Sequence, residues 1–516
     1  MNTTEEYTEQ KRFTVSGEQI PFLKNFSIYL DSVRKDDGVT FMIALRGTEK
    51  SLLLIYKHDG VMTAAKFDGE VFAGDESGDY TVKNCGLTTA NRKALQEIFE
   101  FTRPVVAGLS NSFGFGDRIG LANAGHIRSL KGSAFKPILA QQSIRELGRT
   151  NRKPEEVMDA AVWAVFQEGY TAGFGADADH LKTFDDIDLM VNAGFRFFTF
   201  DPSEHVQNEA DTLDEAGLDE YISKIDWTTL NSGFEEQIAL YTSKPFVLPD
   251  SLILAPHHSD LKRAVVKYGN ALAHIKKLSD HLHTAYPEYE SETEVSVDET
   301  DSVTSPFEHF YIAAELKRMG IPFVSLAPRF IGAFEKGIDY RGDLELFRQE
   351  YLKHLAIVRY HGSYKISLHS GSDKFSVYKV IGSLSNAFTH VKTAGTSYLE
   401  ALKVAAIKQP SLFREILDFS RSIYEGEKKT YHVSADLNTV KSGSELGDAE
   451  LVSLFSHDDS RQVLHVCFGR VLTEKDQSGN YRFKQKLIDC LNENENTHYE
   501  ILIQHFKKHL EPFGIA

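Results

Sequence analysis

The sequence predicts an α/β fold: a (β/α)8 barrel of the TIM type with an N-terminal β-rich extension and a C-terminal, mainly helical one. Three observations predict it. Short apolar runs of strand character recur from residue 103 to 394, with helical segments between several of them. Several runs end on a polar or ionisable residue, as barrel strands do at a catalytic rim. The flanking stretches follow other patterns, hairpin-like before residue 100 and helical after residue 400. The expected layout is therefore residues 1–100 as the first extension, 101–400 as the barrel and 401–516 as the last.

Taken in order, "VTFMIALRG", "KSLLLIYKHDG" and "VMTAAKFDGEVFAG" read as consecutive strands joined by glycine-containing turns. Eight barrel strands follow, in "RPVVAGL", "KPILAQQS", "AGFGADAD", "FRFFTFD", "TEVSVDE", "IPFVSLAP", "YKISLHS" and "FTHVKTA". "KPEEVMDAAVWAVFQEGY" reads as a helix opened by Pro154 and two glutamates. The stretch from Ser259 to Tyr286 has helical spacing with Ser259 as its cap, and "PFEHFYIAAELKRMG" closes on Gly320. The interval around 202–292 is long enough for an insertion as well as a crossover helix.

Composition narrows the class. A hydrophobic fraction of 41% and a charged fraction of 25% are ordinary for a soluble globular protein. A formal charge of −17 argues against a nucleic-acid-binding face. Cys85, Cys467 and Cys490 are far apart, which suggests neither a disulfide scaffold nor a cysteine zinc site and fits a cytoplasmic setting. The opening "MNTTEEYTEQKRF" lacks the pattern of a secretory signal, and no apolar run is long enough for a membrane span. Oligomeric state is open, a homo-oligomer included.

Side chains alternate along a strand, so polar residues that share a face can be read off. Lys365, Ser367 and His369 share the inward face of one strand, His390 and Lys392 that of another. Ser296 with Asp298, Asp177 with Asp179, and Thr199 with Asp201 do the same, and His180 follows at the start of a loop. Buried charges must be paired or bound to something. Histidines and carboxylates converging on one rim suit a divalent cation such as zinc, manganese, nickel or cobalt, although no HExxH or other local zinc motif occurs. His369 and His390 are the candidate ligands. Each, taken alone, reads more readily as a hydrogen-bonded core histidine; together at strand ends, the two readings weigh equally.

"NSFGFGDRIGLANAGHI" is the other dense stretch, with Asp117 and Arg118 after its glycines. Its GxGxxxG spacing departs from the dinucleotide fingerprint GxGxxG, and no P-loop occurs. A glycine-rich surface loop is the plainer reading. Among cations near the rim, Arg329 follows "SLAP" on inward parity and suits a substrate carboxylate or, equally, a salt bridge at the barrel rim.

"GFGDRIGLANAGHI", "PILAQQSIREL", "GFGADADHLKT", "FFTFDPS", "YKISLHSGSDKFSVY" and "THVKTAGTSYLEAL" together resemble the tagaturonate epimerase family, over roughly residues 105–400. The resemblance implies a metal-dependent enzyme interconverting D-tagaturonate and D-fructuronate, with relatives acting on tagatose and fructose. It matches His369 and His390 as metal ligands, with Asp298 and His180 as further ones. The inverted carbon lies two bonds from the ketone carbon, so simple enolisation does not activate it. Retro-aldol cleavage with re-addition, or direct proton transfer, does. Asp177, Asp179 and Glu299 are the acid/base candidates, and Lys392 joins them as a catalytic cation. Asp117, Arg118, Gln142, Arg329, Asp373 and Lys374 are candidate substrate contacts. Two rivals share the pattern: another metal-dependent sugar isomerase or aldolase, and a non-catalytic sugar-acid-binding barrel.

Overall fold

Parallel strands joined by helices bury both faces of their sheet, and closing that sheet removes its edges. The computed structural model of the chain is built this way. It describes residues 12–14, 23, 26–74, 80–362, 364–384 and 388–514; the polar opening read above, residues 1–11, lies outside them. The barrel strands, first to eighth, are Ser112–Phe115, Lys136–Ser143, Gly175–Leu181, Phe197–Phe200, Glu292–Val297, Ser325–Pro328, Lys365–Leu368 and Thr389–Thr393. Each pairs in parallel with the next, and the eighth closes on the first with His390 opposite Ser112.

The first strand corrects the sequence reading. "RPVVAGL" forms no strand. Pro104 offers no amide and Gly108 turns the chain at φ +56°. The turn is tied to the start of the fifth strand, where the amides of Ala107 and Gly108 donate to Glu292 at 2.8 and 2.7 Å. The strand begins at Ser112, inside the stretch expected to be a surface loop. Phe113 and Phe115 are fully buried against Phe506 of the C-terminal helix, at 6.2 and 4.9 Å between ring centroids. Glycine is required just beyond: a Cβ on Gly116 would lie 2.5 Å from the carbonyl oxygen of Thr393.

The long interval holds three short helices (Glu215–Ile222, Trp227–Leu230, Phe234–Tyr241), a two-stranded hairpin and the crossover helix His258–Ala285. Its cap is His257 rather than Ser259. Asp260 reaches back to accept the His257 amide at 2.8 Å, which sets the first turn two residues earlier. The N-terminal sheet is antiparallel, with Val39–Arg46 paired in full register to Glu49–Tyr56. The third predicted strand opens instead as a helical turn, Val61–Ala64, and becomes strand only at Glu70–Gly74. Ala64 and Phe67 are buried while Val61 and Met62 are exposed, a helical spacing.

Beyond the barrel, Thr396–Lys408 and Pro410–Glu427 are separate helices, broken where Pro410 lacks an amide. The last long helix, Glu495–Leu510, packs against the barrel and brings His505 and His509 to Asp373. All three cysteines are buried and free. Among the described residues no helix is long and apolar enough to cross a membrane.

Candidate active site

Side chains of the third, fourth and fifth strands converge on one ammonium from the eighth. Lys392, at the end of the eighth strand, lies 2.8 Å from Asp177, 2.7 Å from Asp179 and 2.9 Å from Glu294. It also donates to Thr199 Oγ1 at 2.6 Å. Burial disfavours its charge, but three carboxylates outweigh that and raise its pKa well above the ordinary lysine value. Lys392 is therefore a fixed cation.

The carboxylates respond differently to the same centre. Burial raises Asp177, and Lys392 offsets this only in part. Burial also opposes ionisation of Asp179 and Glu294, yet both are held below the usual range, Asp179 by His180 and Lys392, Glu294 by Lys392 and His369.

Beside this cluster stand the histidines. His369 follows the seventh strand, with Nε2 2.6 Å from Glu294 Oε1 and Nδ1 3.0 Å from Asp298 Oδ1. Although burial lowers its pKa, Asp298 and Glu294 prevail and lift it to about 10. His180 sits at φ +53°, where the third strand's register slips between Ala178 and Leu181. That irregularity turns both Asp179 and His180 to the rim. His180 lies 3.1 Å from Asp201, and its pKa is raised to about 9 by Asp179 and Asp201 against burial.

The donor set fits a divalent cation. Ligand atoms of His180, Asp298 and His369 lie within 4.8 Å of one another, and His180, Asp201 and Glu299 form an overlapping group. His369 Nδ1 is buried and faces Asp298 Oδ1 at 3.0 Å. Imidazole nitrogen and carboxylate oxygen this close, with His180 beside them, are the donor types a divalent ion takes.

Three of the four expected ligands are thus brought together; His390 is set apart. It is buried deeper in the barrel, with Nδ1 2.9 Å from Ser112 Oγ and its ring on Phe197. Burial holds it neutral, its pKa lowered to about 3.

The rim opens into a cavity of about 350 Å³ lined by Arg145, Asp298, Glu299, Arg329, Lys336 and His369, with Thr430, Tyr431 and His432 across from them. An inner arm reaches Gln141, Asp179, His180, Lys392 and His465. Asp177 and Glu294 are absent from both linings and stand behind Lys392.

Several expected substrate contacts are occupied structurally. Asp117 accepts the amides of Ile119, Gly120 and Ala122. Arg118 is paired with Glu146 at 2.5 Å and stacked over Phe468. Gln142 accepts from Arg152 at 3.2 Å; its neighbour Gln141 faces the inner arm. Asp373 pairs with Arg461 at 2.8 Å and His505 at 3.1 Å. The Lys374 ammonium donates to the carbonyls of Glu335, Ile338 and Ser372. Arg329 reaches the cavity, but its guanidinium donates to Thr300 O. Glu299 lies at the mouth, 3.5 Å from Arg145. Glu294 escaped the sequence reading although it shares the parity of Ser296. Lys336 and His465 come from distant segments and left no local signal.

The family model described as UxaE, tagaturonate epimerase, matches residues 29–513. A tagaturonate/fructuronate epimerase of Thermotoga maritima is 39% identical over 497 residues, covering 95% of this chain and 97% of the relative. The native crystal structure of a fructuronate-tagaturonate epimerase UxaE from Cohnella laeviribosi superposes with a TM-score of 0.88 at 36% identity, covering 97% of this chain and 98% of that one. A glycerol complex of the same enzyme gives 0.87 at 36% identity, over 95% and 96%.

Proposed function

This chain belongs to the tagaturonate epimerase family and is a carbohydrate epimerase, and we propose that it interconverts D-tagaturonate and D-fructuronate at the mouth of the barrel. The observation that carries this reading is the fixed ammonium of Lys392 among Asp177, Asp179 and Glu294, beside His369 and at the inner end of a cation-lined cavity.

A permanently protonated lysine is a poor imine-forming nucleophile. Lys392 instead serves as a preorganised positive charge for an oxygen that gains negative charge in the transition state. Asp179 and Glu299 line the cavity and are the groups placed to move a hydroxyl proton. Asp177 and Glu294 act through Lys392, which they orient. His180, Asp298 and His369 would hold a divalent ion (zinc, manganese, nickel or cobalt), which would supply Lewis acidity to the substrate's oxygens.

The favoured route is retro-aldol. The hydroxyl proton on the inverted carbon passes to a carboxylate, and the bond between that carbon and the one next to the ketone breaks. The electron pair remains as an enediolate facing Lys392. The aldehyde half rotates, the same bond re-forms on the opposite face, and the proton returns to the new hydroxyl. Turnover of D-tagaturonate in D2O tests this route. Retro-aldol leaves no deuterium at the inverted carbon, whereas removal of its carbon-bound proton by an exchanging base incorporates it. Neutral tagatose and fructose are proposed as poorer substrates, and the cytoplasm as the setting.

A further inference from the structure

Lys336 lies on the loop between the sixth strand and the helix Leu344–His361, and it lines both the cavity and its inner arm. Its ammonium donates to Ser370 Oγ at 2.8 Å, beside His369. Among the described residues no carboxylate lies within 4.0 Å of it. Arg145, on the same cavity, has one ion-pair partner among the described residues, Glu299 at 3.5 Å with both side chains well exposed, and Glu146 and Asp179 favour its charge from further away. Burial lowers the Lys336 pKa and Arg145 acts in the same sense, while Glu146, Glu299 and Asp298, none of them in ion-pair contact with it, offset this only in part.

The loop is held rigidly on either side of Lys336. Lys374 donates to the carbonyls of Glu335 and Ile338 at 2.8 and 2.5 Å. Arg461 donates to the Gly337 carbonyl at 2.6 Å. The Glu335 carboxylate accepts from Ser434 and Gln462 at 2.6 and 2.8 Å. Side chains from three other segments, Lys374 and Gln462 among them fully buried, therefore hold the loop that carries one part-buried ammonium at the edge of the site. Preorganising a side chain in this way suits recognition of a charged ligand group.

We propose that Lys336, seconded by Arg145, receives the carboxylate of the hexuronate and is the residue that selects a uronate over a neutral ketose. The inference rests on the epimerase reading above and adds the substrate end that reading leaves unassigned. It also gives the "SGSDK" turn a place: Lys374 holds the loop that presents Lys336.

The test uses the full-length, metal-replete enzyme with Lys336→Met and Lys336→Arg, each checked for an unchanged melting temperature. KM and kcat are measured on D-tagaturonate, and neutral D-tagatose is titrated as a competitive inhibitor of the same reaction. Loss of one partner of a desolvated charge pair predicts a rise of about 100-fold in KM for Lys336→Met. The inhibition constant of tagatose stays within about threefold, and Lys336→Arg recovers most of the loss. An equal weakening of both ligands, or of neither, overturns the assignment. A wild-type enzyme inert on D-tagaturonate overturns the epimerase reading itself, and no variant is needed to see it.

Discussion

Replacing Lys392 by methionine keeps an aliphatic stem and removes the charge on which the centre is built. Its ammonium lies within 2.9 Å of Asp177, Asp179 and Glu294, carboxylates whose side chains are 0%, 8% and 0% exposed. Removing one partner from a buried ion pair costs about 3–5 kcal/mol, because the remaining charge stays desolvated. Proton uptake limits that cost. Asp177, already raised by burial, takes a proton first. A carboxylate whose pKa is higher folded than unfolded binds more protons in the folded state, so stability falls as pH rises, by about 1.4 kcal/mol per unit for each such group. Lys392→Met is therefore expected to lose about 3–5 kcal/mol at pH 8 and less at pH 6. Removing a preorganised donor of this kind predicts a loss of about 10²–10³-fold in kcat. Urea unfolding at both pH values, with kcat on D-tagaturonate, reads out both effects. The double variant Asp177→Asn with Lys392→Met should regain part of the stability and none of the turnover. A Lys392→Met protein with the wild-type urea midpoint at pH 8, or with wild-type kcat, refutes the reasoning.

Three further expectations follow from the same geometry. His369→Ala should lower the divalent metal retained per chain by at least about tenfold, while His390→Ala leaves it unchanged; metal analysis after gel filtration decides, and equal losses would return His390 to the ligand set. Gly114→Ala meets chiefly the Gln141 side-chain end, Oε1 at 2.7 Å, with the Val391 carbonyl oxygen looser at 3.3 Å, so it should fold while displacing that side chain; Gly116→Ala meets the backbone of Thr393 and Ala394 and should lower the melting temperature markedly. Stability should fall as pH drops below about 6.5. Burial holds His126, His390 and His509 neutral with pKa values of about 3, so each takes up a proton only on unfolding, at about 1.4 kcal/mol per pH unit. A melting temperature flat from pH 7 to pH 5 would contradict this.

Strand alternation is a local property, and barrel closure brings strand ends to one rim. That is why Asp177, Asp179, His180, Asp298, His369 and Lys392 could be read into one neighbourhood from sequence. Parity gives the face of a strand and says nothing of depth. His390 has the inward parity of Lys392, but two residues place it about 6.6 Å further down the barrel. Parity is also unforgiving by one position: Gln142 points to Arg152, and its neighbour Gln141 lines the site. Asp373 and Lys374 lie past the strand, where positive φ at Ser370 and Asp373 turns the chain away from the cavity. Their partners Arg461, His505 and Glu335 are far away in the sequence, as are Lys336 and His465 from the residues they join. The first strand was hidden for a different reason. "SFGF" has no β-branched residue and two neighbouring glycines, so propensity favoured the valines of "RPVVAGL" over a segment whose fit depends on backbone contact with the eighth strand.

The most direct test is conversion of D-tagaturonate and of D-fructuronate by the purified chain, followed to equilibrium by NMR before chelation, after it and after metal is restored. The account predicts the same final mixture from either substrate, loss of turnover with the metal, and its return. A folded, metal-replete protein that converts neither substrate would contradict it.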